Sequence, residues 1–309
     1  MVEATSQTRA WRELLAPAEQ EELRHMELLA RRLVSGLRHG MHRSRMVGVS
    51  TEFTHHKNYS VGDPLKHVDW KASARHDRFY VKRYVEDRSL AVRIVLDCSA
   101  SMLQATTGLA SKYRLAGRMA ACLAYLVVKE RDAVGVTLTS AAGTVAVPVS
   151  SRANHMPQIL QALAGTPAAA QDSLAATLRS LLERNETRGI VALVSDLMYD
   201  PAPVQRELGR LHAQGHEVLL VQMRDPTEED FPFNRWVQFH DLENKAVRHR
   251  LDAVLLKKIY REEYQALLLD WRAWAKKSGV HFLTFRTEAN VVAVLCQYLA
   301  IRSRLDRGV

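Results

Sequence analysis

The period of apolar and polar positions changes near residue 89. Before that point Leu14, Leu15, Leu23, Met26, Leu29, Leu33 and Leu37 recur at helical spacing, which predicts a helix over 10–39 broken at Pro17. Residues 40–88 are short polar stretches punctuated by Gly48, Gly62 and Pro64. From residue 90 a regular alternation begins. Apolar runs at 90–97, 189–195 and 217–223 read as buried strands, and 280–285 as a last strand. Residues 133–140 and 144–149, joined by Ala-Ala-Gly, read as a hairpin. Helices are predicted over 111–130, 153–164, 173–184, 202–214, 252–277 (closed by Gly279) and 288–304. Residues 225–250 read as irregular, with short strands at 236–239 and 246–250.

Strands and helices alternating at this length predict an α/β, doubly wound, mostly parallel sheet covered on both faces. The expected division is a main domain over 89–309 preceded by a helix and a basic segment over 1–88 that packs on it.

The first strand runs into Asp97-Cys98-Ser99-Ala100-Ser101, an Asp-x-Ser-x-Ser pattern. In an open α/β sheet the loops at the C-terminal strand ends are where ligands bind. One carboxylate and two hydroxyls are hard oxygen donors that suit Mg2+. Three fixed positions are few enough to arise by chance, and serines in a turn or helix cap are ordinary. The second buried strand, however, also ends in an aspartate, Asp196. Adjacent parallel strands would bring Asp97 and Asp196 to one edge, with Ser99 and Ser101 contacting an ion directly and the carboxylates acting through water.

Composition narrows the setting. The chain has 309 residues, 47% hydrophobic and 25% charged, as in ordinary soluble globular proteins. It holds no apolar run long enough to span a membrane and starts without a signal-peptide pattern, so a cytoplasmic location is expected. Cys98, Cys122 and Cys296 lack metal-type spacing and cannot pair completely. The net charge of +9 is uneven: residues 31–88 hold 13 Lys and Arg against 6 Asp and Glu. Such a surface can meet nucleic acid, acidic lipid or an acidic protein, or simply be solvated. His55 and His56 are adjacent and point apart on a strand, so a zinc site from them is not expected.

With Asp196 following a later strand, Asp97-Cys98-Ser99-Ala100-Ser101 resembles the metal-ion-dependent adhesion site of von Willebrand factor A domains. Upstream, the segment from Lys57-Asn58-Tyr59 through Gly62-Asp63-Pro64, Asp69-Trp70-Lys71 and Ser73-Ala74-Arg75 is similar to the signature of the domain-of-unknown-function 58 family, and Tyr80-Val81-Lys82 continues it. The resemblance extends over about 35–300 and implies a bacterial protein that works with a MoxR-type AAA+ ATPase, in maturation of a client protein or stress response. The family's two arginines stand here as Lys57 and Lys66, which keep charge but lose the planar fork. Where the adhesion site carries threonine this chain has Asp172, within Gln171-Asp172-Ser173-Leu174. A carboxylate there would add negative charge to the ion shell, tightening divalent binding while discouraging an acidic partner; alternatively the loop stops short of the metal.

The expectation is a non-enzymatic interaction module. Two alternatives are weighed against it. A metal-dependent hydrolase needs a base or nucleophile near the ion, and no Gly-x-Ser-x-Gly elbow or Walker-type loop is present. Nucleic-acid binding through 31–88 would use Tyr59, Trp70, Phe79, Tyr80 and Tyr84 as stacking platforms, but these aromatics are expected in the core. Asp69 and Arg75 are expected to form a buried ion pair beneath Trp70.

Overall fold

The computed structural model describes residues 52–60, 68–73, 79–85, 90–106, 110–129, 131–139, 144–152, 155–164, 173–184, 187–233, 235–240 and 248–290. The helix expected over 10–39, residues 291–304 of the last expected helix, Asp172, Arg75 and the Gly62-Asp63-Pro64 turn lie outside them. Residues Arg38–Ser89 form one compact unit, and the chain from Leu90 onward belongs to another.

In the smaller unit β1 (Glu52–Asn58) pairs antiparallel with β2 (Tyr80–Val85). Between them lies a single helical turn, α1 (Trp70–Ser73), which Asp69 caps by accepting from the N–H of Ala72 at 3.0 Å. The hydroxyl of Ser73 accepts from the N–H of Tyr80 at 3.0 Å. One expectation is corrected here. Trp70 and Phe79 are not core residues: they are 62% and 58% exposed and meet edge to face with centroids 6.1 Å apart. Asp69 acts as the cap of α1, satisfying an otherwise orphaned N–H, and its expected partner Arg75 lies outside the described residues.

The larger unit is built on six strands in the order β10-β7-β6-β3-β4-β5. These are β3 (Ala91–Leu96), β4 (Ala133–Leu138), β5 (Val145–Ser150), β6 (Gly189–Ser195), β7 (Glu217–Arg224) and β10 (His281–Arg286). All neighbours are parallel except the edge hairpin β4–β5. Both central strands are buried along their whole length, which is why they read as continuous apolar runs. β8 (Trp236–His240) and β9 (Arg248–Asp252) make a separate hairpin.

The helices are α2 (Ala100–Leu103), α3 (Lys112–Lys129), α4 (Met156–Ala164), α5 (Ser173–Glu183), α6 (Pro201–Ala213), α7 (Pro226–Asp230) and α8 (Ala253–Ser278). One sheet face presents Val95, Val191, Leu193, Val218 and Leu220 to Leu178 of α5, Leu208 of α6 and Trp271 of α8. Side chains of opposite parity, such as Ile94 and Leu96, are fully buried on the other side. α7 is absent from the expected elements although its start is legible: Asp225 caps it through the N–H of Thr227, and Pro226 occupies its first turn.

The chain leaves β3 toward β4 and β5 on one side, then returns to β6 on the other. The β3–β6 boundary is therefore the topological switch point, where the loops diverge and leave a crevice beyond the strand ends. Gly189 opens β6 opposite Ala91 of β3. A Cβ at Gly189 would lie 2.0 Å from the carbonyl oxygen of Ala91, a backbone atom that cannot rotate away. Gly189→Ala is expected to cost about 2 kcal/mol through this overpacking, read as a lower urea midpoint at unchanged slope. An unshifted midpoint would show that β3 and β6 separate here without strain.

Candidate functional site

Asp97 follows β3 and Asp196 follows β6, so both stand at the switch point, 3% and 2% exposed. Each turns its chain sharply. Asp97 Oδ1 accepts from the N–H of Ser99 at 2.9 Å, and Asp196 Oδ1 from the N–H of Met198 at 3.2 Å. Asp97 Oδ2 accepts from the hydroxyl of Ser195, the last residue of β6, at 2.6 Å, which ties the two strand ends together. Ser195 Oγ in turn accepts from the N–H of Leu197 at 3.0 Å and lies 3.1 Å from the Tyr199 hydroxyl. Leu197 has φ 62, a left-handed conformation costing roughly 1–2 kcal/mol, and its side chain is anchored in the core.

Ser99 occupies the N-cap position of α2, yet its side chain makes no capping hydrogen bond. Its hydroxyl lies 3.0 Å from that of Ser101 instead, and both residues are half-buried while the carboxylates sit deeper. Capping therefore does not account for these serines. The two hydroxyls are hydrogen-bonded to each other, and their spacing also matches the edge, about 3.0 Å, of an octahedron of oxygens held about 2.1 Å from a magnesium ion.

The electrostatics are unbalanced. Burial, reinforced by the Asp196 charge, raises the Asp97 carboxyl from 3.8 to about 6, against the hydrogen bonds from Ser195 and Ser99. Lys112, at the start of α3, is 1% exposed, and its ammonium donates to Asp196 Oδ2 at 2.8 Å and to Glu228 of α7. Burial alone would pull the Lys112 ammonium down, but Asp196 and Glu228 together hold it above its usual range. Burial pushes Glu228 up despite Lys112. Asp196 and Glu228 thus share one ammonium, and Asp97 adds a further buried carboxylate beside Asp196, an excess of negative charge that a divalent cation would offset. Hard oxygen donors, two accessible hydroxyls and that excess fit such an ion. Among the described residues no group of three or more acidic, His or Cys side chains could hold a metal, so any ion here depends on hydroxyls.

β7 contributes a third strand-end aspartate. Asp225 accepts from the hydroxyl of Thr106, from the N–H of Thr227 at 2.9 Å and from the hydroxyl of Thr287 at 3.3 Å. These bonds hold its carboxyl below the usual range although burial works against them. Its oxygens are committed to fastening the loop after α2 to α7. Cys98 is buried, and burial with the adjacent Asp97 charge raises its thiol to about 12, which removes it as a nucleophile at neutral pH.

The structure thus brings together Asp97, Ser99, Ser101 and Asp196, and Asp172 lies outside the described residues. Sequence reasoning missed Lys112, Ser195 and Glu228. Lys112 carried a signal: it falls in phase with Leu115, Met119, Leu123 and Leu126, the buried stripe of α3.

A family profile described as "Protein of unknown function DUF58" matches residues 55–273. An uncharacterised protein of Mycobacterium tuberculosis is 27% identical over 285 residues, covering 91% of this chain and 89% of that relative. Among solved structures, the conserved hypothetical protein BatB from Bacteroides thetaiotaomicron is 17% identical, covering 70% of this chain and 100% of that one, with a TM-score of 0.43. The SpRpn10 VWA domain is 9% identical, covering 72% of this chain and 98% of that one, with a TM-score of 0.39. The fold class stands on the strand order of the chain itself. Among the described residues no helix is long and apolar enough to cross a membrane.

Proposed function

Because the chain belongs to the DUF58 family, and its central strands end in a hydroxyl pair backed by two buried carboxylates, we propose that it is a non-enzymatic, von Willebrand factor A-like protein-interaction module holding Mg2+ or another divalent ion. Ser99 and Ser101 hold the ion, Asp97 and Asp196 act from behind through water, and Asp172 is the proposed further donor. The bound ion supplies a coordination position that an acidic group of a partner completes. The partner proposed from the family resemblance is a MoxR-type AAA+ ATPase, with a client protein handled by the pair.

The observation that carries this reading is the Ser99–Ser101 hydroxyl pair, 3.0 Å apart and free of capping duty beside two buried carboxylates. That the Cys98 thiol stays protonated, and that Asp97 is enclosed by Ser195 and Ser99, both favour binding over hydrolysis. Mn2+ binding followed by electron paramagnetic resonance tests the reading. Wild type is expected to deplete the free-ion signal with one site per chain, and Ser99→Ala with Ser101→Ala to lose at least tenfold in affinity. Equal depletion by wild type and the double variant would place the ion elsewhere. Retention of the ATPase by immobilised wild type, lost on adding chelator, would extend the reading to the partner; retention unaffected by chelator would contradict metal-dependent capture.

A further inference from the structure

An ammonium already faces Asp196. The Lys112 side chain is 1% exposed and bridges Asp196, the carboxylate proposed to lie behind the ion, and Glu228, which is not among the proposed ion-site residues. We propose that Lys112 is a built-in competitor of the divalent ion: it shares its charge between Asp196 and Glu228 in the ion-free protein, and ion binding shifts it wholly to Glu228. This rests on the divalent-ion reading above and assigns its control to residues outside the ion site.

The geometry gives the lysine two alternatives and the ion one. Asp196 Oδ1 already accepts from the N–H of Met198, and Oδ2, the oxygen free of the backbone turn, is the one that Lys112 engages. The ion's water and the ammonium would compete for that oxygen, and the two cations would repel each other across it in a medium of low dielectric. Lys112 can yield Asp196 without becoming an unpaired buried charge, because Glu228 still accepts from it. Glu228 sits on α7, whose cap Asp225 is fastened to Thr106 just beyond the Ser99–Ser101 loop. Ion binding would therefore register on α7 as well as on the serine loop.

The competition makes predictions of opposite sign for the two partners, tested by magnesium titration calorimetry on the full chain, with circular dichroism confirming the fold. Lys112→Gln removes the competing charge and is expected to bind Mg2+ at least tenfold more tightly than wild type. Glu228→Gln confines the ammonium to Asp196 and is expected to bind at least tenfold more weakly. In the Lys112→Gln background Glu228→Gln should lose most of that effect, whereas a role of Glu228 through its charge alone would leave it undiminished and overturn the proposal. Equal affinities in wild type and Lys112→Gln would overturn the competition and leave the ion site standing, as would weaker binding by Lys112→Gln. Binding by none of the folded variants would remove the ion site itself, and the competition with it. If Lys112→Gln does not fold, Glu228→Gln, which keeps the contact with Asp196, decides alone: unchanged affinity overturns the proposal.

Discussion

Lys112→Met is expected to destabilise the ion-free protein by about 3–5 kcal/mol, among the largest effects of any single substitution here. The lysine stem lies in the α3 stripe and its ammonium is 1% exposed, so methionine fills much of the same volume. What it cannot supply is the positive charge. Asp196, itself 2% exposed, would then stand beside Asp97 with no counter-charge, and Glu228 would lose its partner. Truncating one member of a buried ion pair costs far more than the intact pair is worth, because an uncompensated charge stays out of water. Chemical denaturation in chelator checks this. Added Mg2+ should return part of the loss, since the ion supplies the missing charge. A variant within about 0.5 kcal/mol of wild type would show that the Asp196 carboxylate is not left uncompensated when Lys112 is gone.

Asp97→Asn should have the opposite sign. The Asp97 carboxyl is raised from 3.8 to about 6 by burial and by Asp196, so the folded chain binds its proton more tightly than the unfolded chain does. Stability contributed by this group is therefore complete below about pH 4 and is lost as the pH rises through about 6, a loss of about 3 kcal/mol. Asparagine keeps an acceptor for the N–H of Ser99 and carries no charge. In chelator at pH 8 Asp97→Asn is expected to be about 3 kcal/mol more stable than wild type, with the advantage fading toward pH 4. Magnesium should reverse the order by stabilising wild type alone. A constant offset across that pH range would separate the effect from Asp97 ionisation. Such a penalty, retained at a strand end and relieved by a ligand, is what a binding site held ready for a cation would carry.

The main sheet was legible because its central strands are buried on both faces and so appear as uninterrupted apolar runs at 90–97, 189–195 and 217–223. Helix ends were legible where local chemistry marks them, as at Gly279, which adopts φ 69 after α8. The serine loop and the two aspartates could be found because strand ends at a switch point follow from the order of elements alone. Lys112 and Glu228 could not be found that way. Their partners lie 84 and 116 residues apart in the chain, and a lysine is by default a solvated residue. Ser195 was hidden for another reason: it closes an apolar strand, and only the β3–β6 pairing reveals that its hydroxyl reaches Asp97. The exposure of Trp70 and Phe79 escaped prediction because aromatic residues in a signature segment read as core, whereas here they border a four-residue turn of helix too short to cover them.

The most direct test of a divalent ion at the serine loop is a crystal of the full chain saturated with Mn2+, examined by anomalous scattering. The predicted result is a single peak bonded to both Ser99 Oγ and Ser101 Oγ, with the Lys112 ammonium turned from Asp196 to Glu228. A map with no peak at the loop, and Lys112 still bridging the two carboxylates, would contradict it.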